Sequence, residues 1–333
     1  MRTDDGGLVL LYHQSMVLVG RVTPSGIKPS MNDHPLQGII PPLATPLRDD
    51  ESIDTNALIR LVDFQIKAGV HGLWVLGTTA RFDLLPDDGA RKAAEIAIEA
   101  AAGRVPMVLN VSDMGTRRTL ARAARFDDLP YDYYAALPPW YQLMARAELL
   151  DYFRTLADRL ALPLILYNAP WINNQLTFEE IKTLAEHPRI VGVKDVHPGL
   201  NRGLDWPAEE RQRLGFSYMQ GFDLVGLATA LGTDGYVTAM ANPFPELCVA
   251  TYEAALAGDA ERSFRLQAQL CRLSRLAGFG PMHACLEAAC RHRGLLDRML
   301  PAPLRSLNVD AARRIAELID EVGALPEPLP APA

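Results

Sequence analysis

The feature that most constrains this chain is an alternation. Between residues 38 and 237 eight short apolar runs recur, each followed by a longer stretch whose apolar residues return every three or four positions. The short runs read as strands and the longer stretches as helices with one buried face. Strands are expected at Gly38–Pro41, Gly72–Leu76, Pro106–Asn110, Tyr133–Ala136, Leu164–Tyr167, Ile190–Lys194, Phe216–Gln220 and Gly235–Val237. Helices are expected at Thr55–Ala68, Asp87–Ala102, Thr116–Arg125, Arg146–Leu160, Thr177–Glu186, Pro207–Leu214, Leu224–Leu231 and Pro245–Ala257. Asp54 is placed to cap the first helix, and Thr177 with Glu180 forms a capping-box pattern. Gly69 and Gly258 are placed to end helices. Eight such pairs over roughly 220 residues are the size of one closed α/β barrel, the (β/α)8 or TIM barrel. The alternative is an open doubly wound sheet, which would need a G-x-G-x-x-G after its first strand. No such motif is there.

Beyond Gly258 three more helical stretches, Ala260–Ala277, Met282–Arg293 and Val309–Val322, read as an appended helical subdomain. The expected organisation is a flexible or non-native N-terminal extension over 1–30, the barrel over 31–258, a C-terminal helical subdomain over 259–325 and a Pro-rich tail over 326–333. With 49% hydrophobic and 22% charged residues in 333, the chain can build a large core. A formal net charge of -7 with scattered Lys and Arg argues against nucleic acid and against anionic membranes. The apolar stretch Leu8–Val19 is too short to span a bilayer and makes a poor signal peptide, so a cytoplasmic protein is expected. Its four cysteines contain no C-x-x-C pair and read as reduced, mostly buried thiols.

Active sites of such barrels lie at the C-terminal ends of the strands. Lys194 closes the apolar run Ile190-Val191-Gly192-Val193. An ammonium there loses hydration and drifts toward the neutral amine that attacks ketones. The competing reading pairs it with Asp195 at the rim. Tyr167 ends the fifth strand, either as a packed phenol or as a proton shuttle beside the lysine. The turn Gly77-Thr78-Thr79 offers hydroxyls and successive N–H groups to a carboxylate.

In order and spacing these residues match a known family. Thr45-Pro46, Ala68-Gly69-Val70-His71-Gly72, Val75-Leu76-Gly77-Thr78-Thr79, Tyr167-Asn168-Ala169-Pro170, Val191-Gly192-Val193-Lys194-Asp195, Gly221-Phe222-Asp223, Leu231-Gly232-Thr233-Asp234-Gly235 and Ala241-Asn242 together resemble the dihydrodipicolinate synthase and N-acetylneuraminate lyase family of class I aldolases. The likeness covers about residues 36 to 305. It implies that Lys194 forms a Schiff base with a 2-oxo acid, pyruvate being the expected one, and that an aldehyde is its partner. Tyr167 is then the proton shuttle. Thr78 bonds Tyr167 and, with Thr79, holds the carboxylate, while Gly221 and Val237 line the pocket. Pro139-Trp140-Tyr141 is similar to the family's P-Y-Y segment, which makes Tyr141, 26 residues before Tyr167, a third relay member given across a subunit interface. The resemblance also implies a homo-oligomer, dimer or tetramer, with no metal and no organic cofactor.

The chain departs from the pattern in three places. Ala80-Arg81 stands where the family has Gly-Glu, reversing the charge at the end of that loop. Ile172 stands where dihydrodipicolinate synthases carry a carboxylate-binding arginine, and Trp171 beside it suits a bulkier or more apolar second substrate. Asp113–Asp132 also differs. The leading expectation is therefore aldol cleavage or condensation of a 2-oxo acid, outside lysine biosynthesis. Alternatives are a Schiff-base dehydratase or deaminase and a non-catalytic 2-oxo acid sensor. A metal-dependent aldolase would need clustered ligands, whereas the seven histidines are scattered and only His71 and His197 lie near strands.

Overall fold

This computed structural model describes residues 36–327 apart from 198, 200, 201, 203 and 204. The expectations for residues 1–30 and for most of the Pro-rich tail fall outside the described residues. Eight parallel strands run in ring order: β1 (Gly38–Ile39), β2 (Leu73–Val75), β3 (Met107–Asn110), β4 (Tyr133–Ala136), β5 (Leu164–Asn168), β6 (Ile190–Asp195), β7 (Ser217–Gln220) and β8 (Gly235–Tyr236). β8 returns to β1 through the pairs Gly38↔Gly235 and Ile39↔Tyr236. Just past β1, a bridge from Pro42 to Trp74 joins β2, with Leu43 N donating to Trp74 O at 2.8 Å and Trp74 N to Pro41 O at 3.0 Å. The ring is closed, and the fold is the expected (β/α)8 barrel. Pro41 and Pro42 have no N–H to give, so the ladder thins to a bridge there and β1 is shorter than its apolar run.

Each strand is followed by its helix: α1 (Thr55–Lys67), α2 (Asp87–Ala101), α3 (Thr116–Ala123), α4 (Arg146–Arg159), α5 (Phe178–Ala185), α6 (Ala208–Arg213), α7 (Val225–Ala230) and α8 (Pro245–Leu256). Asp54 accepts from Ala57 N at 3.0 Å. Thr177 and Glu180 close both halves of their capping box, which fixes where α5 begins. Gly69 and Gly258 follow their helices with φ of +85° and +71°, the left-handed turn for which glycine has no steric cost.

Among the described residues three further helices follow: α9 (Ala260–Ser274), α10 (Met282–His292) and α11 (Val309–Val322). The run expected to stay helical to Ala277 tightens into a 3-10 turn over Arg275–Phe279. Arg293 bridges this region to the barrel, donating to the buried Glu246 of α8 at 2.6 Å. Three of the four cysteines are buried, Cys271 is exposed and all are free.

Two features of the ring position the site. Trp74 and Tyr167 belong to β2 and β5, which are not neighbours, yet their rings meet edge to face with centroids 5.6 Å apart. The barrel interior is therefore filled by side chains. The seam beside β1 is held by Asn242, whose amide accepts from Ala44 N at 2.8 Å and donates to Pro42 O at 2.9 Å.

Candidate active site

In the parallel ladder of β5 and β6, Tyr167 lies opposite Lys194 and Asn168 opposite Asp195. Successive strand residues point to opposite faces, so Tyr167 and Lys194 share the inner face while Asn168 and Asp195 share the outer one. Lys194 and Asp195 therefore look in opposite directions, and Asp195 has its own partners. Its carboxylate accepts from Asn168 Nδ2 at 2.9 Å, Tyr218 OH at 2.8 Å and Arg202 at 2.6 Å. Pairing of the lysine with Asp195, the competing reading of the sequence, is ruled out by this geometry.

On the inner face the Lys194 ammonium position lies 4.2 Å from the centroid of the Tyr167 ring and 5.5 Å from that of Trp74. The lysine is only 6% exposed. Burial lowers its pKa from 10.5 to about 7, because a charged amine cannot recover its hydration among aromatic walls. Tyr167 is shifted the other way, to about 12, by burial first, with a hydrogen bond from Thr78 opposing. That bond joins Thr78 Oγ1 and Tyr167 OH at 3.0 Å. An amine that is neutral in part near pH 7, a neutral phenol and a hydroxyl thus lie together inside the barrel, the last two hydrogen-bonded to each other. Such a group can deliver a nucleophilic amine near neutral pH and move a proton through the phenol and the hydroxyl.

Thr78 and Thr79 open a 3-10 turn over Thr78–Ala80 directly after β2. The first amides of such a turn have no carbonyl partner within it, so they face outward as donors. Gly77 before the turn abuts Trp74, and a Cβ there would lie 3.1 Å from Trp74 Cδ1. Arg81, the reversed charge, adopts a left-handed conformation with φ +55° and donates to Asp83 Oδ2 at 2.6 Å. Its charge is balanced within its own loop.

The remaining predicted positions are dispersed. Gly221 follows β7, and a Cβ on it would lie 2.5 Å from Val196 Cγ2, so the chain passes close beside the end of β6. Val237 is buried just after β8, and its N–H donates to Gln220 O at 2.9 Å. Tyr141 is not with the others: it is 72% exposed, on the segment between β4 and α4. Ile172 is buried, Trp171 beside it is exposed, and His197 accepts from Gly199 N at 3.0 Å in a local turn. Among the described residues no three His, Cys, Asp or Glu side chains converge as a metal ligand set. No described helix is long and apolar enough to cross a membrane.

Sequence reasoning missed Trp74, which forms one wall beside the lysine, and Asn168, which holds the end of β5 to the end of β6. Both carried a readable signal. Trp74 lies within the second apolar run, and Asn168 is one residue beyond Tyr167, hence on the opposite face.

The model of the dihydrodipicolinate synthetase family matches residues 35–322. An uncharacterized DapA-like lyase from Halobacterium salinarum is 30% identical over 295 residues, covering 87% of this chain and 95% of that one. An N-acetylneuraminate lyase from Rhizobium meliloti is 35% identical over 243 residues, covering 72% and 79%. Among solved structures, a dihydrodipicolinate synthase from Bacteroides thetaiotaomicron superimposes with a TM-score of 0.81 at 30% identity, covering 87% and 99%. YagE, a prophage protein of the dihydrodipicolinic acid synthase family from E. coli solved in complex with pyruvate, gives 0.81 at 26% identity, covering 86% and 98%.

Proposed function

Because the chain belongs to the dihydrodipicolinate synthetase family, whose members are lyases, we propose that this lyase joins Lys194 to the carbonyl of a 2-oxo acid, pyruvate first among them, and makes or breaks an aldol bond next to it. The observation that carries the reading is the buried amine of Lys194 lying 4.2 Å from the Tyr167 ring, whose hydroxyl meets Thr78 at 3.0 Å.

The unprotonated Nζ attacks the keto carbon, and the carbonyl oxygen takes up a proton to give a carbinolamine. Tyr167, which stays a neutral phenol below about pH 12, passes a proton to the departing hydroxyl while Thr78 supplies the next link. Water leaves and an iminium remains. In the cleavage direction the 4-hydroxyl returns its proton to Tyr167, deprotonated by the previous step, while the bond beyond the adjacent carbon breaks and its electron pair enters the iminium, giving an enamine and an aldehyde. Protonation of the enamine carbon and addition of water then release pyruvate and the free lysine. The faces of Tyr167 and Trp74 favour the positive charge of the iminium, and the Thr78-Thr79 turn receives the carboxylate of the oxo acid.

The second substrate in this reading is an aldehyde without a carboxylate at the place of Ile172. An apolar side chain there gives an anion nothing to pair with, and its desolvation is uncompensated. Tyr141 completes the relay in a neighbouring copy, so the active form is an oligomer.

Borohydride reduction with a panel of 2-oxo acids, read by intact mass, tests the proposal. Pyruvate is expected to leave a reduced adduct on Lys194, and Lys194→Ala to abolish it. No adduct with any 2-oxo acid would overturn the reading. With 4-hydroxy-2-oxo acids, release of pyruvate is expected; loss of water without chain cleavage would reassign the enzyme as a dehydratase.

A further inference from the structure

We propose that Asn174 is a positioning residue, whose task is to hold the segment that carries Tyr141 in the shape needed to reach a second copy of this chain. The inference rests on the lyase reading and on Tyr141 acting in a neighbouring site.

Residues 137–145 connect β4 to α4 without regular structure. Such a segment, carrying Tyr141 at 72% exposure and Leu143 at 80%, would ordinarily be free to move. Here its backbone is fastened at several points from one side. Asn174 is 1% exposed. Its Oδ1 accepts from Met144 N at 2.9 Å, and its Nδ2 donates to Gln142 O at 2.6 Å and to Pro139 O. Next to it, Asn173 Nδ2 donates to Tyr141 O at 3.0 Å. The two amides thus hold backbone groups of Pro139, Tyr141, Gln142 and Met144 and leave the Tyr141 phenol projecting outward.

The clamp is itself tied to the chemistry. Asn174 belongs to the loop that follows Tyr167 on β5. The far end of that loop is anchored by Asn168, whose Oδ1 accepts from Leu176 N at 2.8 Å and whose Nδ2 donates to Leu176 O at 3.1 Å. Asn168 Nδ2 also reaches Asp195, the neighbour of Lys194, at 2.9 Å. Hydrogen bonds at both ends of the short backbone stretch Asn174–Leu176 therefore connect the end of the lysine strand to the backbone beneath Tyr141. An exposed tyrosine on so firmly held a backbone is pre-shaped for a target outside its own chain, since its phenol hydroxyl bonds to none of the described residues while the backbone beneath it is fixed.

The test is complementation between two damaged chains. Asn174→Ala keeps its own Lys194, Tyr167 and Thr78. It is expected to form the borohydride adduct with pyruvate and to keep its KM within about threefold, while kcat falls about 10- to 100-fold, on the order of a lost proton-relay member. Asn174→Ser keeps a small polar side chain that can make one of these bonds without burying a charge, and a smaller fall in kcat is expected; it also serves if Asn174→Ala fails to fold. Co-expression of the Asn174 variant with Lys194→Ala, each with its own tag, gives hybrids in which an intact lysine faces an intact Tyr141 segment. These are expected to be several-fold more active than either variant alone. Unchanged kcat in both Asn174 variants, or a loss that hybrids do not recover, would overturn the proposal. If Tyr141→Phe leaves kcat unchanged while pyruvate still traps on Lys194, the clamp role falls and the lyase reading stands. If the native chain traps no 2-oxo acid, the lyase reading falls first.

Discussion

Replacing Lys194 by methionine should make the protein more stable, by an amount that depends on pH. The substitution keeps the length of the stem and removes the charge. Burial has lowered the pKa of this lysine from 10.5 to about 7, so the folded protein gives up a proton that the unfolded chain retains. Below about pH 7 the lysine is charged in both states, and the folded state carries the whole desolvation cost. As pH climbs from about 7 to about 10.5, the unfolded chain binds more protons than the folded one, so the stability of the native protein rises. Linkage puts the cost of the buried lysine at roughly 4 kcal/mol near pH 7 and roughly 2 kcal/mol near pH 9. Lys194→Met removes that cost. Its advantage in urea melts should therefore be about 2 kcal/mol larger near pH 7 than near pH 9, and should vanish near pH 11. An advantage that is flat with pH, or that grows with it, would refute the argument. The native enzyme offers an independent reading of the same group. An ordinary lysine is neutral in about three molecules in ten thousand at pH 7, whereas this one is neutral in about half. The rate of imine trapping should rise with pH and level off with a midpoint near 7, and a midpoint near 10 would be equally fatal.

Thr78→Val removes the 3.0 Å bond to Tyr167 and is expected to lower kcat on the order of 100-fold while the lysine keeps trapping pyruvate, read by steady-state kinetics beside intact mass. Asp195→Asn leaves the Arg202 guanidinium, 15% exposed, without its carboxylate, and should cost about 3 kcal/mol in urea melts; a loss under about 1 kcal/mol would show that the outer-face network contributes little. Gly235→Ala places a Cβ 2.4 Å from Gly38 O, so ring closure must give way. A drop of at least about 2 kcal/mol is expected, and an unaltered thermal midpoint would count against that closeness.

The strands were readable because each is an apolar run flanked by helical spacing, and their edges shifted by at most one residue except at β1, where Pro41 and Pro42 cut the ladder short. Lys194, Tyr167 and Thr78 were readable as strand-end residues, since the barrel gathers such positions at one mouth. What adjacency in sequence hid was the direction of side chains. Lys194 and Asp195 are consecutive and look like an ion pair in one dimension, yet strand alternation puts them on opposite faces. Trp74 was hidden because a tryptophan in an apolar run resembles any other core residue, and its contact with Tyr167 depends on two strands that do not touch. Asn174 was hidden because a loop asparagine has no period, and its three partners lie about thirty residues earlier in the chain.

The seam at β1 also bears on how the chain is made. The bonds by which Asn242 fastens Ala44 and Pro42 join residues 198 and 200 positions apart, and β8 pairs with β1 across a similar interval. During synthesis β1 leaves the ribosome with no partner for that edge, and none exists until almost the whole barrel has followed it. Contacts of such long range slow folding and prolong exposure of open strand edges. A nascent chain stopped short of Gly235 would present the edges of both β1 and β7, each a template for pairing with another chain. The last strand therefore acts as a latch: only when it arrives does the ring close and leave neither edge open.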